Sequence, residues 1–331
     1  VMQVKKTSAH RPDSSATRPK NRAVLGQLSD MDLRLLKVFK SVVECGGMAA
    51  AELELNIGTS TVSRHVKDLE TRLGLVLCRR GRAGFALTTE GQRVYEQTLS
   101  LLAAVDGFRS SIDDIHRRMG GQLEIAVFDK TASNPQARIA QAIARFTKLA
   151  PAVTLSLHVA SLNTIERGLI DGHFHVGVIP THRHSQSLSY ADLFGETMHL
   201  YCGSQHPLFS ASHENLDWDS LHAYPFAGLG HHSPNMELSH RANLTRTATG
   251  SDEEAIALLI LSGQFLGFLP DHYAERFTQQ GLMQAIAPQR FHYLCRFVGV
   301  LRRSPQPSRA TQLFHECLLI AHEHSVNHSS T

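Results

Sequence analysis

Residues 49–91 read AAAELELNIGTSTVSRHVKDLETRLGLVLCRRGRAGFALTTEG, and the fold follows from this stretch. The spacing predicts a short helix around Met48–Leu55, with Met48, Ala51 and Leu55 on one face. Asn56-Ile57-Gly58 breaks it with residues suited to a tight turn. In the next helix Val62, Val66, Leu69 and Leu73 recur at steps of four, three and four, so one side is buried. The other side carries Thr59, Ser60, Ser63, Arg64 and Lys67. Short hydroxyls allow close approach to base edges in a DNA groove, and an Arg can pair with guanine through two hydrogen bonds. Any solvated helix face is polar, so the sequel matters. Gly74 ends the helix, Leu75–Leu77 returns to the core, and Arg79, Arg80 and Arg82 lie on a hairpin with Gly81 and Gly84. Phe85 and Leu87 resume a strand alternation. A basic hairpin there can reach a phosphate backbone or a neighbouring groove.

Charge is divided along the chain in the same sense. Residues 1–93 hold sixteen Lys/Arg and nine Asp/Glu, and the remainder seventeen against twenty-one, so a front of +7 precedes a back of −4. This suits a nucleic-acid module joined to one that does not touch nucleic acid. Residues 1–28 contribute six cations and one acid among Ser, Thr and Pro, without apolar periodicity, and are expected to be a disordered basic tail. They lack the apolar core of a secretory signal. The tail adds nonspecific DNA affinity or is an inert extension. The longest apolar stretch, Ala255–Leu261, is too short to span a membrane. With five scattered cysteines, the expected setting is the reducing cytoplasm.

After the hairpin, Thr89 and Gln92 form a candidate capping box for a long helix. Val94, Thr98, Leu101, Val105, Phe108, Ile112, Ile115 and Met119 then alternate at four and three, the spacing of a coiled-coil seam. The seam can pair with a second copy or dock on the chain's own C-terminal half. Gly120-Gly121 closes this helix. Beyond it, Leu123–Phe128, Val153–Val159 and Phe174–Ile179 read as strands, separated by helices over Pro135–Leu149 and Ile165–Ile170. Such alternation implies a parallel sheet with helical crossovers. A comparable set follows, with strands near Phe226–Leu229 and Phe265–Leu269 and a helix over Glu253–Leu261.

The pattern V-S-R-H-V-K-D-L-E-x-x-L-G-x-x-L, followed by Arg, a Gly-containing wing and L-T-x-x-G, resembles the DNA-binding domain of LysR-type transcriptional regulators. The match is close over residues 30–95 and extends by layout to about residue 320. The chain departs from the family at Gly58, where a capping Ser is usual, at Thr59, where Gln is common, and at Gly47-Met48, where Ser-Phe is usual. Gly58 weakens the cap by only a few tenths of a kcal/mol, or ~0.3, whereas Thr59 bears on base preference.

The resemblance implies an α+β multidomain protein. Its parts would be an N-terminal winged helix–turn–helix (29–88), a linker helix (89–119) and a C-terminal α/β effector domain (122–331) of the periplasmic-binding-protein-like type. That domain would comprise subdomain I (about 122–197 and 302–331) and subdomain II (about 198–301). Crossing strands near Met198–Cys202 and Leu294–Leu301 would join them, and a helix over Arg309–His322 would return to subdomain I. The implied partners are double-stranded promoter or operator DNA, a second subunit through the linker helix, a homotetramer of two dimers, and a small-molecule co-inducer. RNA polymerase is a further candidate partner. No membrane and no bound cofactor are implied.

The co-inducer would sit between the subdomains, at strand ends and helix N-termini. Lys130, Thr131 and Ser133, ahead of an Asn134-Pro135 helix start, would suit a carboxylate, so an anionic metabolite is favoured. Ser161 or Asn163 would cap the next helix, with Glu166 completing a box. His231, His232 and Ser233 follow the strand near Phe226–Leu229, and Thr249 and Ser251 flank Gly250 before a helix. By position these match the family's effector-binding loops.

The twenty-one histidines include the local pairs His173/His175, His182/His184 and His231/His232, yet no cysteine stands at ligand spacing and no H-E-x-x-H or C-x-x-C occurs, so no metal site is expected. The runner-up reading is a redox-sensing regulator using Cys202 and Cys295, which fall on the two expected crossing strands. An enzyme on the α/β portion ranks below it. The chain lacks a P-loop, a dinucleotide fingerprint and a nucleophile elbow, and no reaction is specified.

Overall fold

A computed structural model describes residues 26–81, 84–115, 119–230 and 234–323. The expected disorder of the tail therefore falls, for residues 1–25, outside the described residues. The chain packs as two compact units that divide at Leu102/Ala103.

The first unit opens with α1 (Asp30–Glu44), whose N-terminus is closed by a reciprocal box between Ser29 and Asp32. The Ser29 N–H donates to Asp32 Oδ2 at 2.8 Å. Next, α2 (Ala50–Leu55) starts two residues later than the spacing predicts and ends at Asn56, in the left-handed region at φ 50°. Met48 still packs with Leu55 against Val38, Val42, Val62 and Val66. α3 (Thr59–Leu73) buries Val62, Val66 and Leu69, as the periodicity requires. Leu69 joins Leu35, Leu36, Phe39 and Leu77 in a second apolar cluster. Gly74 terminates α3 at φ 67°, and the Leu75 N–H reaches back to the Glu70 carbonyl at 3.1 Å.

The wing is an antiparallel pair, β1 (Cys78–Gly81) and β2 (Gly84–Leu87), with Arg79 opposite Ala86 and Arg80 opposite Phe85. α4 follows over Thr89–Ile115. Its cap is Thr88, not the expected Thr89. The Thr88 hydroxyl accepts from the Gly91 N–H at 2.8 Å and donates to the Val76 carbonyl at 2.7 Å. Gln92 completes no box, because its side-chain amide donates to Glu96 at 3.0 Å. The L-T-x-x-G motif thus has a physical meaning. Thr88 ties the helix start to the segment that leads into the wing, and a Cβ on Gly91 would clash with the Leu77 carbonyl oxygen.

The helix seam divides in two. Val94, Tyr95 and Leu101 pack into the Leu35–Phe39–Leu77 cluster. Phe108 is 67% exposed and Ile112 38%. Met119 is not on the seam: α4 ends at Ile115, and Met119 packs on the core of the second unit.

In the second unit, the strands among the described residues form one sheet of mixed parallel and antiparallel pairs. The strand–helix alternation yields β3 (Gly121–Val127), α5 (Ile139–Leu149), β4 (Val153–Val159), α6 (Leu162–Asp171) and β5 (Val176–Pro180). β3 pairs in parallel with both β4 and β5. The expected crossing strands are real but longer than the sequence suggests, because apolar alternation lapses around Gly195-Glu196-Thr197 while backbone pairing continues. They are β6 (Leu188–Gly203) and β11 (His292–Arg302), antiparallel to each other. The amino half of β6 lies with β11 beside β5, and its carboxyl half pairs with β9 (Leu266–Pro270).

Beyond β6 come β7 (Phe226–Leu229), α7 (Pro234–Arg241), β8 (Arg246–Gly250) and α8 (Glu253–Leu261). After β9 follow α9 (Asp271–Gln279) and β10 (Met283–Ala285). β8 escapes a reading by pattern because it is an edge strand, mostly exposed, without apolar alternation. α10 (Arg309–Glu323) packs on α5, where Phe314 meets Phe146 edge to face at 5.4 Å.

Candidate functional site

Two regions carry the chemistry. On the first unit, the side of α3 opposite its buried face presents Ser60, Arg64 and Lys67 to solvent, with Ser63 half-buried beside them. The buried Val62, Val66 and Leu69 fix the helix azimuth, so this row keeps a constant outward orientation. Thr59 departs from the expected role, because its hydroxyl donates to Glu52 of α2 and thereby joins the two helices. The Glu70 carboxylate accepts from the backbone N–H of Leu77 at 2.8 Å and of Cys78 at 3.3 Å, anchoring the wing to the base of α3. Glu70 also lies 3.5 Å from the Lys67 ammonium. Arg79 is exposed on β1. The Arg80 side chain and Arg82 lie outside the described residues. Beneath this surface, Arg72 at the end of α3 grips the buried Asp32 of α1, with one of its two bonds at 2.9 Å. Hydrogen bonds from Arg72 and Ser29 hold the Asp32 carboxyl down at about 2.

On the second unit, the expected effector loops form a different site from the one the sequence suggests. Asn134-Pro135 does not start α5, which begins at Ile139. The Asn134 carboxamide oxygen instead accepts from the Gln136 N–H at 2.8 Å in a local turn, preceded by a 3-10 turn over Thr131–Ser133. At the true helix start the Arg138 N–H is taken by His322 Nε2 at 3.1 Å, so the start of α5 is not the anion-binding end that Asn134-Pro135 suggested. Lys130, at φ 57°, is ion-paired to Glu254 at 2.8 Å, stands 3.6 Å from Asp129, and lies 4.9 Å above the Tyr273 ring. Ser133 donates to the Lys130 carbonyl at 3.0 Å and lies 3.0 Å from His272 Nδ1. Thr131 is buried.

Ser161 occupies the α6 cap position without capping; its hydroxyl meets that of Thr164 at 2.9 Å. Asn163 is exposed within the first turn, and Glu166 faces His182 at 3.6 Å instead of completing a box. Thr249 lies exposed on β8, and Ser251 donates to Asp252 at 2.9 Å. His231, His232 and Ser233 are outside the described residues.

What the fold does bring together is a set of carboxyls that sequence spacing left apart. Asp129 follows β3, Glu196 lies on β6, and Glu253 opens α8. The Glu253 N–H donates to Asp129 Oδ2 at 3.1 Å, which ties the loop after β3 to the start of α8. Glu196 is buried, 3.0 Å from His272 Nε2, with the Asn134 amide at 3.5 Å. Burial pushes Asp129 up to about 6 against the pull of Lys130. It also raises Glu196, despite the His272 hydrogen bond. Glu253 is lifted well above the usual carboxylate range, by burial first and then by the charges of Asp129 and Glu196. On the Glu196 side an open cavity of about 440 Å³ is lined by Asn134, Glu196, Asp271, His272 and Glu275.

Comparison with known proteins decides what this pairing of a winged helix and a two-part α/β unit is. Residues 33–92 match the bacterial regulatory helix-turn-helix protein, lysR family, and residues 116–322 match the LysR substrate binding domain. The chain is a LysR-type transcriptional regulator. It is similar to the HTH-type transcriptional activator BauR of Pseudomonas aeruginosa, 39% identical over 297 residues that span 90% of this chain and 97% of BauR. Its fold is that of CbnR, a LysR family transcriptional regulator, at a TM-score of 0.58 and 21% identity over 88% of this chain and 99% of CbnR. Full-length CbnR complexed with its target DNA aligns at a TM-score of 0.57 and 21% identity, over 87% and 99% of the two chains. The LysR-type regulator therefore belongs to a family of transcriptional regulators, not of enzymes. Among its described residues no helix is long and apolar enough to cross a membrane.

The redox alternative fails on register within this regulator. Cys295 of β11 stands opposite Glu196 of β6, while Cys202 lies six residues farther along β6, paired with Gln284 of β10. That separation is about 20 Å at the rise of a strand. Both thiols are buried, and burial raises Cys202 to about 12 and Cys295 well above its ordinary value, so neither presents a thiolate. Sequence reasoning missed Asp129, Glu196 and Glu253. The one available signal was an acid within the buried run of β6 and another at the first position of the apolar α8.

Proposed function

We propose that this regulator binds one operator sequence through α3 and the wing, as a dimer or a tetramer of two dimers, under control of a small molecule in the α/β cleft. Ser60, Ser63, Arg64 and Lys67 contact DNA from α3, with Thr59 supporting the turn before it. Arg79, Arg80 and Arg82 of the wing reach phosphates or the adjacent groove. The exposed Phe108 and Ile112 of α4 pair with a second copy. Lys130, Thr131, Ser133, Ser161, Asn163, His231, His232, Ser233, Thr249 and Ser251 are the candidate effector contacts. Ligand binding biases the geometry of the two subdomains and hence the spacing of the DNA-binding dimers. The protein acts in the cytoplasm. Activation, the role in BauR's name, is the favoured outcome, with RNA polymerase the partner it would engage.

The observation that carries this reading is the two-faced α3, with Val62, Val66 and Leu69 buried beneath exposed Ser60, Arg64 and Lys67. The test is titration of the full chain onto DNA from upstream of its own gene, beside scrambled DNA, at several salt concentrations. Tight binding to the native fragment alone is expected. Arg64→Ala should weaken that binding by about 1–3 kcal/mol and relax specificity at one position. Equal, steeply salt-dependent binding of the unmodified protein to both fragments would leave only phosphate attraction and sink the site-specific reading.

A further inference from the structure

Glu70 stands where a carboxylate works against DNA binding. It lies on α3 three residues after Lys67, whose ammonium is 3.5 Å away, and so cancels part of a charge that would attract phosphates. Its side chain is only 11% exposed, against 73% for Lys67. The hydrogen bonds of Glu70 account for this. One carboxylate oxygen accepts from the backbone N–H of Leu77 at 2.8 Å and from that of Cys78 at 3.3 Å. The Glu70 carbonyl takes the Leu75 N–H at 3.1 Å as well. Three N–H groups of the segment from α3 into the wing thus end on a single residue of the reading helix.

The root of the wing converges on Leu77. Its side chain is fully buried with Leu35, Leu36, Phe39 and Leu69. Its carbonyl oxygen accepts from the Thr88 N–H at 3.0 Å and the Thr88 hydroxyl at 3.2 Å, a tie to the start of α4. Its N–H, with that of Cys78, is tied to α3 through Glu70. Cys78 opens β1, and Arg79 is the next residue, its Cα about 3.8 Å farther on. Packing does not fill the space beside this tie, where a cavity of about 320 Å³ is lined by Met48, Ser63, Val66, Lys67, Glu70 and Cys78. Hydrogen bonds to an ionised acceptor are roughly twice as strong as neutral ones, so the carboxylate can fix the root where side chains do not.

We propose that Glu70 is a positioning residue for DNA reading, which holds the wing at one offset from α3 so that Lys67 and Arg79 reach the same site together. This rests on the reading of α3 and the wing as the DNA-binding surface. The function lies in the two N–H bonds that the carboxylate accepts, not in its negative charge. Gln offers an oxygen at the same place and keeps the wing in register, whereas Ala frees it. With the wing released, Arg79 no longer contributes its phosphate contact, and replacing Arg79 has no further effect.

The test measures the affinity of the full chain for DNA from upstream of its own gene and for scrambled DNA, each across a salt series. The steepness of log affinity against log salt counts phosphate contacts, at about 0.9 for each. Arg79→Ala should lower it by about 1 in the unmodified background. Glu70→Ala should lower it by at least as much and weaken binding about tenfold, although it removes a negative charge from the surface. Glu70→Gln should keep the wild-type steepness, and Arg79→Ala should change nothing further in the Glu70→Ala background. Circular dichroism checks folding; Glu70→Met, similar in length but without an oxygen, takes the place of Glu70→Ala should that variant not fold. Tighter binding by Glu70→Ala, a Glu70→Gln as weak as Glu70→Ala, or a full Arg79→Ala effect in the Glu70→Ala background would each overturn the proposal. So would an Arg79→Ala without effect in the unmodified background, since Arg79 would then reach no phosphate. Steepness is read on both fragments, so an unmodified protein without preference for the native one counts against the regulator reading and leaves the Glu70 comparison standing.

Discussion

Replacing Asp129 by Asn should stabilise the protein at neutral pH and much less in acid. Asp129 is the carboxyl whose energetic burden can be worked out: its ordinary value of 3.8 rises to about 6 in the fold because burial outweighs Lys130. For an acid whose folded value is raised, the native state binds the proton more tightly than the unfolded chain. Its favourable contribution is complete below about 3.8 and is lost as pH climbs through about 6. Ionised above that range, Asp129 costs the fold about 3 kcal/mol, against about 1.6 kcal/mol at pH 5. Asn keeps an oxygen for the Glu253 N–H but has no charge to bury. Asp129→Asn should therefore raise stability more at pH 7.5 than at pH 5, by about 1.4 kcal/mol. Urea unfolding followed by the fluorescence of Trp218, the chain's one tryptophan, reports on the right unit, because that ring packs 4.8 Å from Phe291. A difference between variant and wild type that is flat across this range, or a variant less stable at pH 7.5, would refute the argument that Asp129 is ionised at a cost.

Three further outcomes follow from the same structure. The Asp32 carboxyl, held at about 2 by Arg72 and Ser29, is the opposite case: its stabilisation is complete above about 3.8 and lost as pH falls toward about 2. Asp32→Asn should raise the pH at which the first unit unfolds in acid, followed by circular dichroism, and an unchanged acid midpoint would count against the Arg72 pairing. Gly91→Ala places a methyl in clash with the Leu77 carbonyl oxygen, so the wing and α4 must part at a cost of about 1–3 kcal/mol; thermal unfolding and DNA affinity should fall together, and a neutral result would show that the approach relaxes freely. Phe108→Lys, at a position 67% exposed on α4, should shift sedimentation velocity toward smaller species, since a charge in a helix seam opposes pairing. Persistence of the wild-type species would place the subunit interface elsewhere.

The sequence by itself determined the elements. Val62, Val66 and Leu69 specify which side of α3 is buried because a helix repeats every 3.6 residues, and a periodic apolar row can face only one way. The strands at Val153–Val159 and Phe226–Leu229 and the helix over Glu253–Leu261 were legible for similar local reasons. The proposal that α3 reads DNA rests on its exposed hydroxyls and cations and on the basic wing after it.

Tertiary structure decided the rest, because contacts across the fold can override local preference or act where none exists. Thr88 takes the cap from Thr89 since its hydroxyl also reaches Val76, in the segment between α3 and the wing. Asn134 fails to start a helix because its carboxamide is spent on Gln136 and on the crossing strand at Gly195. Lys130 looked like a free cation beside a strand end, yet Glu254, 124 positions away, neutralises it. Cys202 and Cys295 were both correctly assigned to crossing strands, and only the register of β6 against β11 separates them. The carboxyls Asp129, Glu196 and Glu253 share no spacing that a sequence could reveal. They meet because a parallel sheet gathers its strand ends on one side and a crossing strand carries Glu196 to them, so the cleft's charge is a property of topology, not of any segment.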